Sequence, residues 1–340
     1  MPNVAVIGAS GAVGDVFLRV AEEREFPVDE LKLLATARSA GKQLQFRGEA
    51  ITVEETTEAA VAGADLVFCS ATSEASKHWG PFVRANGGVM IDDGSTYRME
   101  TNVPLVVPEI NGADLEWHEG IVSIPNCTTT PMVLALHAMK AVATPVRVTA
   151  ATYQAVTGSG TAAAEELHAQ IQAIGRGEAV PEPTVYPQQI AMNVLPQVDD
   201  FDEGGYTKEE LKMRNETRKI LHQLDLPIAT TCVRVPTMIG HAEVVHTEFD
   251  RSIDLDTLHQ ALAAQDGIVI GDDPEDYATP LQSEGNDLTH VGRLRLDPTI
   301  ADGRGIVFWC VSDNLRKGAA TNAIQIAEEL IDRNLLKRSS

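Results

Sequence analysis

The stretch Pro125-Asn126-Cys127-Thr128-Thr129 has the strongest chemical potential in this 340-residue chain, because it sets one cysteine where a strand gives way to a helix. Residues 121–124 form a short apolar run of strand type, and residues 132–139 have the spacing and composition of a helix. Pro125 ends the strand, while Thr128 to Thr130 with Pro131 read as a cap followed by a first-turn proline. At such a point a thiol faces unpaired amides and the positive end of a helix dipole. Both favour the thiolate and offer hydrogen bonds to a developing oxyanion. Cys127 is therefore a candidate nucleophile, with a small buried residue as the competing reading. Cys69, Cys232 and Cys310 each sit inside an apolar run and read as interior strand positions.

A second group lies downstream. Arg234 and His241 bracket Val235-Pro236-Thr237-Met238-Ile239-Gly240, the arginine closing one strand and the histidine opening the next. Alone, such a histidine is more often structural than catalytic, and the same holds for an isolated Gln154 or Arg98.

The elements that must position these residues alternate in the first part of the chain: strand 4–7, helix 13–24, strand 31–36, strand 66–69, helix 74–86 and strand 89–91. That order predicts an α/β unit with a mostly parallel sheet flanked by helices. From about residue 146 the pattern turns to longer β-rich runs, 146–154, 228–235, 243–249 and 306–312. Helices at 161–174 and 208–224 lie between them, which fits an α+β unit on a mixed or antiparallel sheet. Residues 175–205, rich in Pro, Gly and acidic side chains, read as surface connection. Residues 319–335 read as an amphipathic helix that packs back on the first unit.

Composition limits the function classes. With 44% hydrophobic residues the chain is long enough for two domains. Four scattered cysteines without a CxxC pair or a His/Cys cluster predict neither a disulfide framework nor a metal site, and fit a reducing compartment. Met1-Pro2-Asn3 leads straight into the apolar strand, and no apolar run is long enough to span a bilayer. A cytoplasmic protein without a membrane partner is expected. The formal net charge of −22 argues against nucleic-acid binding, which relies on basic neutralisation of phosphates. An anionic ligand would need the few cations to converge locally.

Directly after the first strand, Gly8-Ala9-Ser10-Gly11-Ala12-Val13-Gly14 opens a helix. Strand, glycine turn and helix N-terminus together predict a dinucleotide site in a variant of the usual glycine spacing. The second strand ends in Ala35-Thr36-Ala37-Arg38-Ser39, with no acidic residue between Leu31 and Gln45. Arg38 with Ser39 suits a ribose 2′-phosphate, so NADP is expected rather than NAD.

Taken together, these motifs resemble the aspartate-semialdehyde dehydrogenase family along essentially the whole chain. The likeness is carried by the glycine loop, Ala37-Arg38-Ser39-Ala40-Gly41-Lys42, Pro125-Asn126-Cys127, Thr152-Tyr153-Gln154-Ala155-Val156-Thr157-Gly158, Cys232-Val233-Arg234-Val235-Pro236 and Ser312-Asp313-Asn314-Leu315. The resemblance implies a Rossmann-type NADP-binding domain at 1–126, completed by a C-terminal helix within 314–340. It implies an α+β catalytic and dimerisation domain with a mixed sheet at 127–313, in a homodimer. Cys127 would be the acyl-thioester nucleophile, His241 the general acid/base, and Gln154 the group that positions substrate; the chemistry itself requires a base with a pKa near 7, which His241 can supply. Arg234 would hold the substrate α-carboxylate, and Arg98 and Lys212, with Asn126 nearby, would bind phosphate. Glu209 would reach the substrate amino group or orient Lys212. Gly8, Ser10, Gly11, Ala12, Val13, Arg38, Ser39, Thr157, Gly158 and Asn314 would contact NADP.

The implied reaction is reductive dephosphorylation of 4-phospho-L-aspartate to L-aspartate 4-semialdehyde, on the route to lysine, threonine, methionine and isoleucine. N-acetyl-γ-glutamyl-phosphate reductase has similar architecture and chemistry, but that family tends to place glycine before its cysteine and tyrosine after it. Here Asn126 and Thr128 flank Cys127. A catalytically silent paralogue is disfavoured by the joint retention of Cys127, His241, Gln154, Arg234 and Arg98. A glyceraldehyde-phosphate-type dehydrogenase would share the thiolate logic, but neither the Asn126-flanked cysteine nor the Arg234-to-His241 spacing.

Overall fold

Four apolar runs that are buried along their whole length or nearly so, VAVI, LLA, LVFC and VMID, build the first sheet, as strands covered on both faces must. The computed structural model describes residues 1–336 and divides into two units. The first comprises Met1–Asn126 with the chain from Ala319 onward, and the second is Cys127–Gly318. The junction thus falls at 318/319 rather than at 313/314. Residues 337–340 of the expected C-terminal helix lie outside the described residues.

In the first unit the order is β1 (Val4–Ile7), α1 (Ala12–Glu23), β2 (Leu31–Ala35), a hairpin of β3 (Gln43–Phe46) and β4 (Glu49–Thr52), β5 (Glu54–Glu55) and α2 (Glu58–Val61). There follow β6 (Leu66–Cys69), α3 (Ser73–Ala85), β7 (Val89–Asp92), α4 (Pro108–Asn111) and β8 (Ile121–Ser123). Among the described residues the sheet runs β5-β2-β1-β6-β7-β8, with every pairing parallel. The chain leaves β1 toward β2 on one side and reaches β6 on the other. The carboxyl ends of β1 and β6 therefore form the switch point at which such sheets bind ligands.

The second unit starts with α5 (Thr129–Lys140) and continues through β9 (Pro145–Gln154), α6 (Thr161–Arg176), α7 (Lys208–Ile220), β10 (Ile228–Arg234) and β11 (His241–Phe249). It then runs through α8 (Leu255–Ala263), β12 (Ile268–Ile270), α9 (Pro280–Ser283), β13 (Thr289–Leu296) and β14 (Gly305–Ser312). Its sheet is ordered β10-β9-β11-β14-β13-β12. β9–β10 and β12–β13 are parallel and the other pairings antiparallel, so the sheet is mixed. Burial alternates along the strands: Ala150, Thr152 and Gln154 of β9 and His241, Glu243 and Val245 of β11 are buried, whereas Tyr153 is exposed.

Residues 175–205 are largely irregular and exposed, as a surface connection should be, but the segment is anchored at a few points. Ile190, Ala191 and Leu195 are buried against Val156, Ala163 and Leu167. Gln170 accepts hydrogen bonds from the amides of Ile190 and Ala191 through Oε1, and Glu166 accepts from those of Thr184 and Val185 through Oε2. Buried acceptors on α6 and a few apolar side chains hold down a strap whose average composition is that of a loop.

After β14 a π turn, Arg316–Ala320, runs directly into α10 (Thr321–Asp332), so the expected helix from residue 319 opens on π rather than α geometry. α10 packs within the first unit through Asn322 Nδ2 to the Val106 carbonyl (2.8 Å) and through the Arg24–Glu328 ion pair (2.6 Å).

Candidate active site

Cys127 lies just ahead of α5 and is the one cysteine of the four that is not fully buried. Cys69, Cys232 and Cys310 have no exposure, and burial pushes the Cys69 thiol up to about 12 and those of Cys232 and Cys310 also upward. The cap differs from expectation in one respect: Thr128 is already helical in φ and ψ and its side chain does not cap the helix, whereas Pro131, at the third helical position, is a first-turn proline as expected. Gly318, in the π turn, comes so close that a Cβ there would lie 2.8 Å from the Cys127 Cβ.

Register gathers the other second-unit candidates into one row. Arg234 of β10 pairs with Gln154 of β9; His241 follows one step beyond the Tyr153–Ala242 pair; Ser312 of β14 pairs with His241. Side-chain period two turns all four to the buried face of the sheet. The Ala155 peptide fastens two of them. Its N–H donates to His241 Nδ1 (3.0 Å), and its carbonyl accepts from Arg234 Nη1 (2.6 Å). With Nδ1 accepting, the neutral ring carries its proton on Nε2, which meets no partner among the described residues. Burial, and then the Arg234 charge, lower the His241 pKa to about 3. The expected pKa near 7 is corrected accordingly: the resting imidazole is neutral and presents Nε2–H.

Both ends of the Gln154 amide are bonded. Its Oε1 accepts from Thr152 Oγ1 (2.9 Å), and its Nε2 donates to Glu209 Oε1 (2.9 Å). Glu209 Oε2 in turn meets Lys212 Nζ at 3.2 Å, one turn along α7, and Lys212 Nζ also meets Asp199 Oδ2 at 2.8 Å. The start of α7 is secured by a Thr207/Glu210 capping box, a motif that contributes on the order of 1 kcal/mol. Glu209 is thus bonded to both Gln154 and Lys212. Strap residue Asp199 and sheet residue Thr152 complete a relay that had no signature in the sequence. The strap further supplies Leu195, which pairs with the Arg234 backbone in both directions, and Tyr186, whose ring lies 5.9 Å from the guanidinium.

Thr157 and Gly158 occupy a short 3₁₀ turn after β9. A Cβ on Gly158 would come within 2.9 Å of His241 Nε2 and 3.2 Å of Arg234 Nη1. Asn314 is buried, donating to Thr157 Oγ1 (3.0 Å) and accepting from the Gly240 amide (2.9 Å). Its amide ties together the loops around Thr157 and Gly240.

The first unit holds the remaining candidates. Gly8 has φ +88° and a Cβ there would sit 2.1 Å from the Ser70 carbonyl oxygen, so the loops after β1 and β6 approach as glycine alone permits. Gly11 caps α1 with an exposed backbone, beside the half-buried Ser10, Ala12 and Val13. Free amides at that helix start suit a pyrophosphate. Arg38 is exposed and Ser39 buried in the turn after β2. Arg98 is buried and donates through Nη2 to the Asp93 carbonyl (2.8 Å), and Asn126 is buried at the unit's end. Burial raises the Asp92 and Asp93 carboxyls, which accept from Ser76 and Ser70 respectively. Among the described residues no group of three or more His, Cys, Asp or Glu could hold a metal, and no helix is long and apolar enough to cross a membrane.

Two family models match: the semialdehyde dehydrogenase NAD-binding domain over residues 3–118 and the semialdehyde dehydrogenase dimerisation domain over 136–317. Aspartate-semialdehyde dehydrogenase of Aquifex aeolicus is 44% identical over 98% of this chain and 99% of its own. The Bacillus subtilis enzyme is 43% identical over the same shares. A crystal structure of aspartate semialdehyde dehydrogenase II from Vibrio cholerae, complexed with ASA, superposes with a TM-score of 0.94 at 41% identity over 98% of both chains. A parallel nucleotide-type sheet, a mixed second sheet and likeness over nearly the full length agree on one conclusion: the chain belongs to the aspartate-semialdehyde dehydrogenases, oxidoreductases that act on an aldehyde with an NAD(P)-binding domain.

Proposed function

We propose that this chain interconverts 4-phospho-L-aspartate and L-aspartate 4-semialdehyde with NADP through an acyl thioester on Cys127. The observation that carries the reading is the pairing of one accessible cysteine at the head of α5 with the inward row Arg234, Gln154 and His241 in the same unit.

The glycine loop at the start of α1 fits a dinucleotide, because it leads into a helix N-terminus whose first amides, those of Ala12 and Val13, have no intrahelical acceptor, and because Gly8 leaves no space for a side chain. Gly8, Ser10, Gly11, Ala12 and Val13 would hold the pyrophosphate side. Arg38 and Ser39 would hold a 2′-phosphate, with no carboxylate after β2 to repel it. Thr157, Gly158 and Asn314 belong to the same cofactor set. When bound, NADP supplies the hydride donor and acceptor.

Arg234 suits the substrate α-carboxylate, since a guanidinium fork matches a planar carboxylate and here its position is fixed through Ala155 and Leu195. Arg98, Lys212 and Asn126 serve the phosphoryl group. Glu209 would restrain Lys212 or reach the substrate amino group. Gln154, with both ends of its amide bonded, presents its second N–H to the acyl group. In the biosynthetic direction the Cys127 thiolate attacks the acyl phosphate carbon and phosphate leaves, giving the thioester. Reduction leaves an alkoxide on the Cys127-bound carbon, which His241 Nε2–H stabilises as hydrogen-bond donor. The alkoxide collapses to the aldehyde and expels the thiolate, a step that needs no proton. The homodimer is assigned to the second unit, the part matched by the dimerisation-domain model. Its sheet exposes Tyr153 on the face opposite the site row. A soluble cytoplasmic enzyme of the aspartate-derived amino-acid route is the corresponding cellular reading.

The test is turnover by the purified protein with L-aspartate 4-semialdehyde, with and without phosphate, in parallel with N-acetyl-glutamate semialdehyde and with NAD in place of NADP. Phosphate-dependent NADPH formation from the aspartate compound is expected, and Cys127→Ser should lose roughly three or more orders of magnitude. Turnover confined to the acetylated substrate, or a near wild-type rate for the serine variant, overturns the reading.

A further inference from the structure

Glu243 stands on β11 directly opposite Thr152 of β9 and, on its other side, Cys310 of β14. It lies one inward row from Gln154 and His241. It is completely buried, and neither carboxyl oxygen meets a hydrogen-bond partner among the described residues. Register adds Cys232 beyond Thr152, so the row carries no cation to offset a charge. Burial alone pushes the Glu243 carboxyl well above the usual carboxylate range.

Thr152 has a corresponding opening. Its single proton goes to Gln154 Oε1 and one lone pair accepts from the Val233 amide (3.3 Å). Cys232 also reaches the Thr152 hydroxyl, but its thiol proton goes to Met213 Sδ (3.5 Å), so one of the two Thr152 lone pairs stays open. Residues directly opposite in an antiparallel pair hold their Cβ atoms about 5 Å apart, so a turn of the Glu243 side chain, unbonded as it stands, brings its carboxyl to the Thr152 hydroxyl.

We infer that Glu243 is an uncharged acid whose O–H donates to Thr152, and that it thereby sets which way the Gln154 amide faces. The donors then run in one direction, from Glu243 to Thr152, from Thr152 to Gln154 Oε1, and from Gln154 Nε2 to Glu209. An ionised Glu243 would present acceptors alone. The Thr152 proton would turn toward it, Gln154 Oε1 would lose its donor, and the amide could rotate. Glu243 is thus a positioning residue for the reaction; this inference rests on the reading of Gln154 as the substrate-positioning group.

Two arms test it. Infrared difference spectra of wild type against E243Q at pH 7 should show the carbonyl stretch of a protonated carboxyl that vanishes in the variant; a carboxylate band in its place overturns the proposal. In the semialdehyde assay the glutamine, which can donate as the acid does, should keep kcat within about threefold. E243L should lower kcat roughly tenfold with the NADP KM unchanged, and T152V should erase the difference between the two. Equal loss in E243Q and E243L, or an undiminished E243L, overturns it. Should the leucine variant not fold, E243Q and the infrared arm still decide. Should wild type not turn over the semialdehyde at all, the substrate reading fails while the infrared arm still judges Glu243.

Discussion

Gly158→Ala adds one methyl group against two proposed functional groups at once. The new Cβ would lie 2.9 Å from His241 Nε2 and 3.2 Å from Arg234 Nη1, where an unstrained contact needs about 3.5 Å or more. Neither neighbour yields easily. His241 is held by the Ala155 amide, Arg234 by the Ala155 carbonyl, and both side chains are buried. Relief therefore requires the two to move apart by about half an ångström or the 3₁₀ turn to shift. Overpacking of this kind costs about 1–3 kcal/mol of stability. Displacement of a reacting group by a fraction of an ångström to 1 Å costs roughly 10- to 100-fold in rate. Glycine at this position is not held at positive φ, so alanine adds no backbone strain and the effect reports space alone. The assay is steady-state kinetics of NADP reduction with the semialdehyde, alongside thermal unfolding. Gly175→Ala is the control, since a Cβ there meets nothing within 4 Å. A G158A enzyme with kcat and both KM values within twofold of wild type would refute the close-contact argument and the placement of His241 and Arg234 on which it stands.

Gly318→Ala should act on the nucleophile in the same way: its Cβ would sit 2.8 Å from that of Cys127, and both kcat and the rate of Cys127 alkylation by iodoacetamide are expected to fall roughly tenfold or more. Unchanged alkylation would show that the π turn does not position the thiol. The two buried titratable groups have opposite effects on stability against pH. His241 is depressed, so its contribution is complete above its unfolded value of about 6.5 and is lost as pH falls toward about 3. Glu243 is raised, so its contribution is complete below about 4.5 and is lost as pH rises. Urea unfolding should therefore show E243Q gaining on wild type between pH 5.5 and 7.5, by up to about 1.4 kcal/mol per pH unit, and a gap that stays constant with pH would contradict a protonated native Glu243.

Much of this organisation was legible before any coordinates. The continuous apolar runs at Val4–Ile7 and Leu66–Cys69 announce a doubly covered parallel sheet, and Gly8 to Gly14 announces its ligand turn. Cys127 stands apart from the other cysteines because a proline and a helix start flank it. Less accessible were interactions that depend on register and tertiary burial. Nothing in the composition of residues 175–205 marks Leu195 and Asp199 as partners of Arg234 and Lys212. The strap is held by single contacts to α6, α7 and β10 rather than by a periodic face. The His241 pKa was misjudged for the same reason. A histidine opening a strand could equally sit at a wet sheet end, and its burial beside Arg234 comes from the pairing of β9, β10 and β11. Thr152 and Glu243 escape notice because each is an ordinary strand residue until the ladder sets them opposite one another.

The strap has a consequence for how the molecule avoids its own kind. β10 is an outer strand of the second sheet, and an outer strand offers unpaired amides and carbonyls to any passing chain. At its carboxyl end that offer is withdrawn, because Leu195 donates to the Arg234 carbonyl (2.9 Å) and accepts from its amide (2.8 Å). The bridge closes the template at the residue assigned to the substrate carboxylate. One backbone pair thus protects against edge-to-edge aggregation and steadies a binding group, so damage to the strap would touch solubility and turnover together.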